Sequence, residues 1–586
     1  MINAINCLKA LLFTVTIGLS AFSYLEVLPS TSSTLQQCSS AIQQRTLFAK
    51  VLCKALCKST VQGQNYTLIE QKLAQLYDIA LSSDFTLDHA VKELVQALKN
   101  SPWNIKEFFL GASSSAYQIE GGLDSNSAVA RFYQKMELSL AGDSIDFFNR
   151  YAEDIRQLKE ELHINCFRLS LAWNRIEPLP GQFNEKAMHF YKNVINTLLS
   201  YDITPIVVFH HYDIPTWFED MGGFEKEENG VYFRKFCLQV YQNLAQELGN
   251  CFISMCNAPE GPAFKGYFTG EGTPGEKDNL HKTHTVIANM YYELVEAAIQ
   301  IKQEYVTLKK NNPTLKKPFI GTQINVILFD PYRIKDSGYI KRLASTLGCE
   351  IASYVQSGGT ANFLVNGEYR LFMPNWGFLK QAKNVNVYRH HKYAYKAFDW
   401  IGVNIYSNNF LDGFKRINGT ELVEYDEERY TDNPNYRNYP EGIYRAVQFI
   451  TENITAPLGK LRNKNGNPLP IIVTENGVAT KNEAKRTRYF KRALCTITQL
   501  IKDGYHVIGY TPWASHDNYE WPTQLNPEGF NDKCYGFFAV NFDKNSPDYL
   551  QRTLKEGSRY YADFAQQLHL HKLSFNCYSV RPECST

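Results

Sequence analysis

From Phe108 onward the chain alternates short apolar, β-branched runs with longer segments whose apolar residues recur every three or four positions. The short runs are FFLGAS, INCFRLS, ITPIVVFH, FISMCN, PFIGTQIN, FDWIGVNIY, PIIVTEN and YHVIGYTPW. Their length and composition predict buried strands, and the segments between them, such as YAEDIRQLKEEL, EKAMHFYKNVINTLLS and KRTRYFKRALCTITQLIKDG, predict amphipathic helices. Eight strands with helical crossovers imply an α/β fold of the (β/α)8 TIM-barrel type, because right-handed crossovers place the helices outside a ring of parallel strands. An open, doubly wound sheet is the other arrangement this alternation allows. Upstream, LIEQKLAQLYDIA and LDHAVKELVQALK predict an N-terminal helical extension. The chain therefore divides into a hydrophobic leader over 1–25, an accessory helical region over 26–102, a barrel over 103–566 and a tail over 567–586.

In this fold the chemistry gathers at the C-terminal ends of the strands. Read in order, those ends supply Gln118 and Glu120, Arg168, His211 with Asp213, Asn257, Gln323 with Asn325, Asn404 with Tyr406, Glu475 with Asn476, and Trp513 with Glu520 and Trp521. Singly, Arg168 reads equally well as a structural ion pair and His211 as a satisfied core histidine. Eight polar or aromatic endings on one rim point instead to a site, and rings, amides and carboxylates without metal ligands suit a neutral polyol such as a sugar.

Composition narrows the partners. Sixty-one basic residues against 59 acidic ones leave a net charge of +2, so nothing favours nucleic acid or another polyanion. Aromatics make up 14% of the chain, which serves a large core and stacking on sugar faces alike. The uncharged run from Ala10 to Leu25 reads as a signal-peptide core, with Gly18 and Ser20 as a small-x-small cleavage signal, or as an uncleaved anchor. A secreted or extracytoplasmic location follows, with any membrane contact limited to that segment. Sequons at Asn65, Asn418 and Asn453 are compatible with it. Of 13 cysteines, Cys38, Cys53, Cys57, Cys577 and Cys584 lie in the extension and the tail, where disulfides would suit an oxidising compartment, while Cys166, Cys237, Cys251 and Cys256 sit in apolar patterns as buried thiols. None has metal-site spacing, so neither metal nor cofactor is expected.

The stretches FFLGASSSAYQIEGG, INCFRLSLAWNRIEPLPGQFNEKAMHFY, ITPIVVFHHYDIPTWFEDMGGF, GYFTGEGTPG, DWIGVNIYSNNF, PIIVTENGVA, GYTPWASHDNYEW and YGFFAVNF run from about residue 105 to about 565. Together they resemble glycoside hydrolase family 1, the retaining β-glucosidase and β-galactosidase family. The resemblance implies a β-glycoside substrate and two carboxyl groups about 5 to 5.5 Å apart across the glycosidic bond, one a nucleophile and the other an acid and base. It assigns the nucleophile to Glu475, its paired cation to Arg168 and its hydrogen-bonding phenol to Tyr406. Sugar recognition falls to Gln118, His211, Asn257, Asn404, Trp513, Glu520, Trp521 and Tyr535.

One position departs from the family. Where its acid/base motif reads T-F-N-E-P, this chain reads Met255-Cys256-Asn257-Ala258-Pro259, so alanine holds the acid/base place. A methyl group transfers no proton. Three readings follow: a β-glycosidase with Glu260 or a substrate group as substitute acid, an enzyme restricted to O- or S-glycosides with good leaving groups, as in the related plant thioglucosidases, and a non-catalytic sugar-binding protein, as in the klotho-like members. Tyr212 also replaces the family's tryptophan after the active-site histidine. The KCYG of Lys533 to Gly536 resembles the phosphoglycosidase members, but Glu520 would repel a sugar phosphate, which favours an unphosphorylated sugar.

Overall fold

The computed structural model describes residues 71–332, 339–373, 385–412, 415–417, 431, 436–462, 465–522, 527–530 and 533–571. The leader, Cys38, Cys53, Cys57, Cys577, Cys584, Asn65 and Asn418 lie outside them. Among the described residues no helix is long and apolar enough to cross a membrane.

All eight sequence-predicted runs are strands: β1 (Phe109–Ser113), β2 (Cys166–Ser170), β3 (Thr204–Val208), β4 (Phe252–Asn257), β5 (Phe319–Asn325), β6 (Trp400–Asn404), β7 (Ile471–Glu475) and β8 (Val507–Tyr510). They pair in parallel, each with its sequence neighbours, and β8 closes on β1, so the ring is a barrel and not an open sheet. Near the strand starts, Phe109, Cys166, Ile206, Phe252, Phe319, Trp400 and Ile472 form one apolar cluster with Ile508 against it, sealing the N-terminal end of the lumen. The layering depends on small residues: a Cβ at Gly321 would overlap the Trp400 ring, so glycine there makes room for the indole. Because side chains alternate along a strand, Arg168, two residues beyond Cys166, faces the same lumen.

Two breaks in register fall at the other end. Pairing between β4 and β5 shifts between Ser254 and Asn257, and pairing between β6 and β7 shifts between Val473 and Glu475. Such irregularities re-aim side chains at barrel rims, and here they carry Asn257 and Glu475.

The extension forms a helix over 71–81 and α1 (Leu87–Asn100). Thr86 caps α1 by accepting from the His89 N–H, and Ala90, Val91, Leu94, Val95, Ala97 and Leu98 form its buried face. It lies against α2 (Glu483–Lys502) and α3 (Arg559–Leu570). Lys72 pairs with Asp503, Glu93 pairs with Lys502, the Trp103 indole N–H donates to the Gly504 carbonyl at 2.7 Å, and the Trp103 ring stacks on His506 at 5.3 Å. Gly504 and His506 lead into β8, so these contacts sit at the end of the barrel opposite the strand C-termini. Cys166, Cys237, Cys251 and Cys256 are buried thiols.

Candidate active site

Glu475 ends β7 with only 7% of its surface exposed. One carboxylate oxygen lies 2.6 Å from the Arg168 guanidinium, an ion-pair approach without hydrogen-bond alignment, and the other accepts from the Tyr406 hydroxyl at 2.8 Å. Removing either partner would leave a buried charge under-compensated, which is far costlier than losing a surface pair. Tyr406 is itself held between rings: Tyr436 stacks on it at 5.5 Å and Tyr535 meets it edge-on at 6.0 Å. Tyr535 thus braces the phenol from behind, alongside Ala479 and Trp513.

A second nitrogen of Arg168 meets His211 Nδ1 at 3.1 Å, and the Asn257 amide meets His211 Nε2 at 3.1 Å. The guanidinium and the Asn257 amide nitrogen both donate, and a neutral imidazole accepts at one nitrogen only, so His211 takes one of these two hydrogen bonds at a time. Burial, with the Arg168 charge and His210 adding to it, holds His211 well below the usual histidine range and therefore neutral. The chain continues from Asn257 to the Asn404 amide at 2.8 Å and from Thr474 Oγ1 to Asn404 at 2.7 Å. Five strands, β2, β3, β4, β6 and β7, are tied at their ends by this one network.

The opposite wall comes from the segment after β8. The Trp513 indole N–H donates to Glu520 at 2.7 Å. Trp521 lies parallel to Tyr117 at 5.8 Å and tilted on Tyr212 at 5.6 Å. Gln118 donates to the Tyr519 carbonyl at 2.8 Å and to Asn518 at 3.2 Å and accepts from Ser115 at 2.7 Å. It braces the segment that carries Glu520. Lys265 reaches over the Trp521 ring and Lys533 donates to the Trp521 carbonyl at 2.7 Å.

Burial pushes the Glu520 carboxyl up to about 7, against the lowering pull of Lys533 and the Trp513 N–H. As pH falls through that value the carboxylate gains a proton and loses an acceptor position. Binding through this carboxylate is therefore expected to weaken as pH is lowered from about 8 to about 6, and Glu520→Gln to flatten that change. A KM-against-pH series on both proteins checks it.

Ala258 follows β4 with φ +43°, its N–H donating to the Gln323 carbonyl at 3.0 Å and its methyl fully buried. Glu260 opens the next helical turn, Glu260–Phe264. Its carboxyl accepts from Tyr291 at 2.7 Å and Thr360 at 3.1 Å, both on outer helices, and among the described residues it bonds to none that touches Glu475. Burial pushes it up to about 7. Three other polar strand endings are structural. Glu120 takes Arg175 and Tyr191, Asp213 takes Ser127 and Asn174, and Asn476 takes Tyr489 and Tyr510. Thr474 and Tyr436 belong to the site although no sequence signal marked them: a threonine inside an apolar run and a tyrosine between motifs carry none. Among the described residues no His/Cys/Asp/Glu group could hold a metal.

The model of the family described as Glycosyl hydrolase family 1 matches residues 101–569. Beta-glucosidase A of Acetivibrio thermocellus is 26% identical over 489 residues, covering 78% of this chain and 97% of that protein. The human Lactase-like protein is 26% identical over 480 residues, covering 75% of this chain and 79% of its own. In fold, the chain is similar to the beta-glycosidase from Pyrococcus horikoshii, with TM-score 0.61, 24% identity and coverage of 79% and 94%. It is similar also to the beta-glucosidase from Thermotoga maritima in complex with deoxynojirimycin, with TM-score 0.60, 23% identity and coverage of 79% and 98%. A closed barrel of eight parallel strands, a matching family model over most of its length and relatives that are β-glucosidases converge on one conclusion: this chain belongs to glycosyl hydrolase family 1 and to the glycoside hydrolase class of enzymes.

Proposed function

We propose that the protein is a retaining β-glycosidase that forms a covalent glycosyl-enzyme on Glu475 and is impaired at the proton transfers on either side of that intermediate. The observation that carries this reading is the clamped anion: a carboxylate at the barrel mouth, oriented from both oxygens by Arg168 and Tyr406. A site used only to hold sugar has no need for a buried charge so oriented. His211, Asn257, Trp513, Glu520 and Trp521 surround it with the amides, rings and carboxylate that grip a pyranose. The preferred substrates are unphosphorylated O- or S-linked β-glycosides whose aglycone departs readily as an anion, because Ala258 supplies no acid. The engagement of Glu260 by Tyr291 and Thr360 supports a structural role for it. The Ala258 methyl also supports a second reading, a sugar-binding protein that retains the pocket without turnover.

The missing group acts on the second step too, where water must lose a proton as it attacks. Azide needs no base. With an activated aryl β-glucoside, azide is expected to raise turnover by about 10-fold or more and to release a β-glycosyl azide. Unchanged turnover with no azide adduct, alongside measurable sugar binding, favours the binding reading.

A further inference from the structure

Ala258 and Tyr212 lie beyond the ends of adjacent strands, β4 and β3, and both adopt left-handed backbone, with φ +43° and +68°. That region is uncommon for any residue but glycine and an outlier for a bulky one, costing about 1–3 kcal/mol, so it persists only where the surroundings impose it. At Tyr212 it turns the ring over the first turn of Glu260–Phe264. The hydroxyl packs so close to Gly261 that a Cβ there would lie 2.5 Å from the phenolic oxygen. The Gly261 N–H donates to the Ala258 carbonyl at 2.9 Å, so the phenol ends one turn from the residue that lacks a carboxyl. On its other side the ring meets Trp521, and the preceding residue, His211, is bonded to Arg168. Tyr212 keeps partial exposure, and its hydroxyl has no hydrogen-bond partner among the described residues.

We propose that the Tyr212 hydroxyl donates the proton to the departing aglycone oxygen, a catalytic role that rests on the retaining reading above. As the Glu475 carboxylate forms its bond to the anomeric carbon, the bond from that carbon to the aglycone oxygen breaks. The oxygen keeps the electron pair and takes the phenolic proton, which leaves a tyrosinate. In the second step water attacks the anomeric carbon, the electron pair of the ester bond returns to Glu475, and the proton lost by water restores the phenol. Burial and the Glu475 charge hold Tyr212 well above the usual tyrosine range, so the donor is fully protonated at neutral pH. It is a weaker acid than a carboxyl and offsets only part of what Ala258 removes. The other ionisable groups nearby are differently occupied: Glu260 serves Tyr291 and Thr360, and Lys265 sits over Trp521 with Lys533, Glu271 and Glu520 as its charged neighbours.

The test is Tyr212→Phe assayed on β-glucosides of graded leaving-group pKa. The loss in kcat/KM is expected to grow along the series, from about twofold with dinitrophenyl glucoside to about 100-fold with an alkyl glucoside. An equal loss on every aglycone, or none, overturns the assignment. Gly261→Ala, which displaces the hydroxyl while leaving it present, is expected to give the same slope, and it serves if the phenylalanine variant does not fold. Trapping with a 2-deoxy-2-fluoro glucoside separates the two levels of the account. An unlabelled wild-type protein removes the Glu475 reading and this one with it, whereas a labelled wild type and a flat series remove only the role of Tyr212.

Discussion

Ala258→Glu is expected to raise kcat on an alkyl or weakly activated aryl β-glucoside by about 10²–10⁴-fold, the usual worth of a positioned acid and base. At about 1.36 kcal/mol per decade this is a barrier lowered by about 2.7–5.5 kcal/mol. The gain is expected to shrink toward unity with dinitrophenyl glucoside in the first step, because that aglycone leaves without a proton. The backbone offers no obstacle. Ala258 already holds φ +43° with a Cβ in place, so glutamate brings no new backbone cost. Steady-state rates across a leaving-group series measure the effect, and the azide stimulation of the natural protein is expected to vanish in the variant. No gain on any substrate would mean that the pocket beyond Ala258 does not receive an aglycone.

Glu475→Gln is expected to reduce turnover of every β-glycoside by about 10⁵-fold or more, since the amide cannot form the covalent intermediate. The amide keeps the shape and the Tyr406 hydrogen bond but leaves Arg168 as a buried cation with no counter-charge. A loss of stability of about 3–5 kcal/mol is therefore expected alongside the loss of rate, readable as a lowered denaturation midpoint. Azide is not expected to restore activity to this variant, because without the first step there is no intermediate for it to intercept. That contrast separates a lost nucleophile from a lost base.

Much of this was written in local pattern. The eight strands are legible because each is a short β-branched run bounded by turn residues, and a ring of such strands puts its C-terminal residues together whatever their distance in sequence. Glu475, Arg168, Tyr406, His211, Asn257 and Asn404 meet for that reason. What pattern cannot carry is the direction of a side chain once the strand has ended. Glu120, Asp213 and Asn476 stand at strand ends like the others, yet neighbours on helices and loops capture them. Glu260, two residues past Ala258, is taken by Tyr291 and Thr360 from distant helices. Tyr212 is turned into the site by a left-handed backbone angle that no composition rule assigns to a tyrosine. The helices of the extension follow from their apolar spacing, but their docking beside α2 and α3 depends on contacts such as Trp103 with Gly504 that only the folded barrel creates.

Peptide mapping after incubation with a 2,4-dinitrophenyl 2-deoxy-2-fluoro-β-glucoside bears most directly on the central claim. Stoichiometric release of dinitrophenol is expected, with one fluoroglucosyl adduct on the peptide containing Glu475. Release without an adduct, an adduct on another carboxylate, or an inert protein that nonetheless binds the glycoside would contradict it.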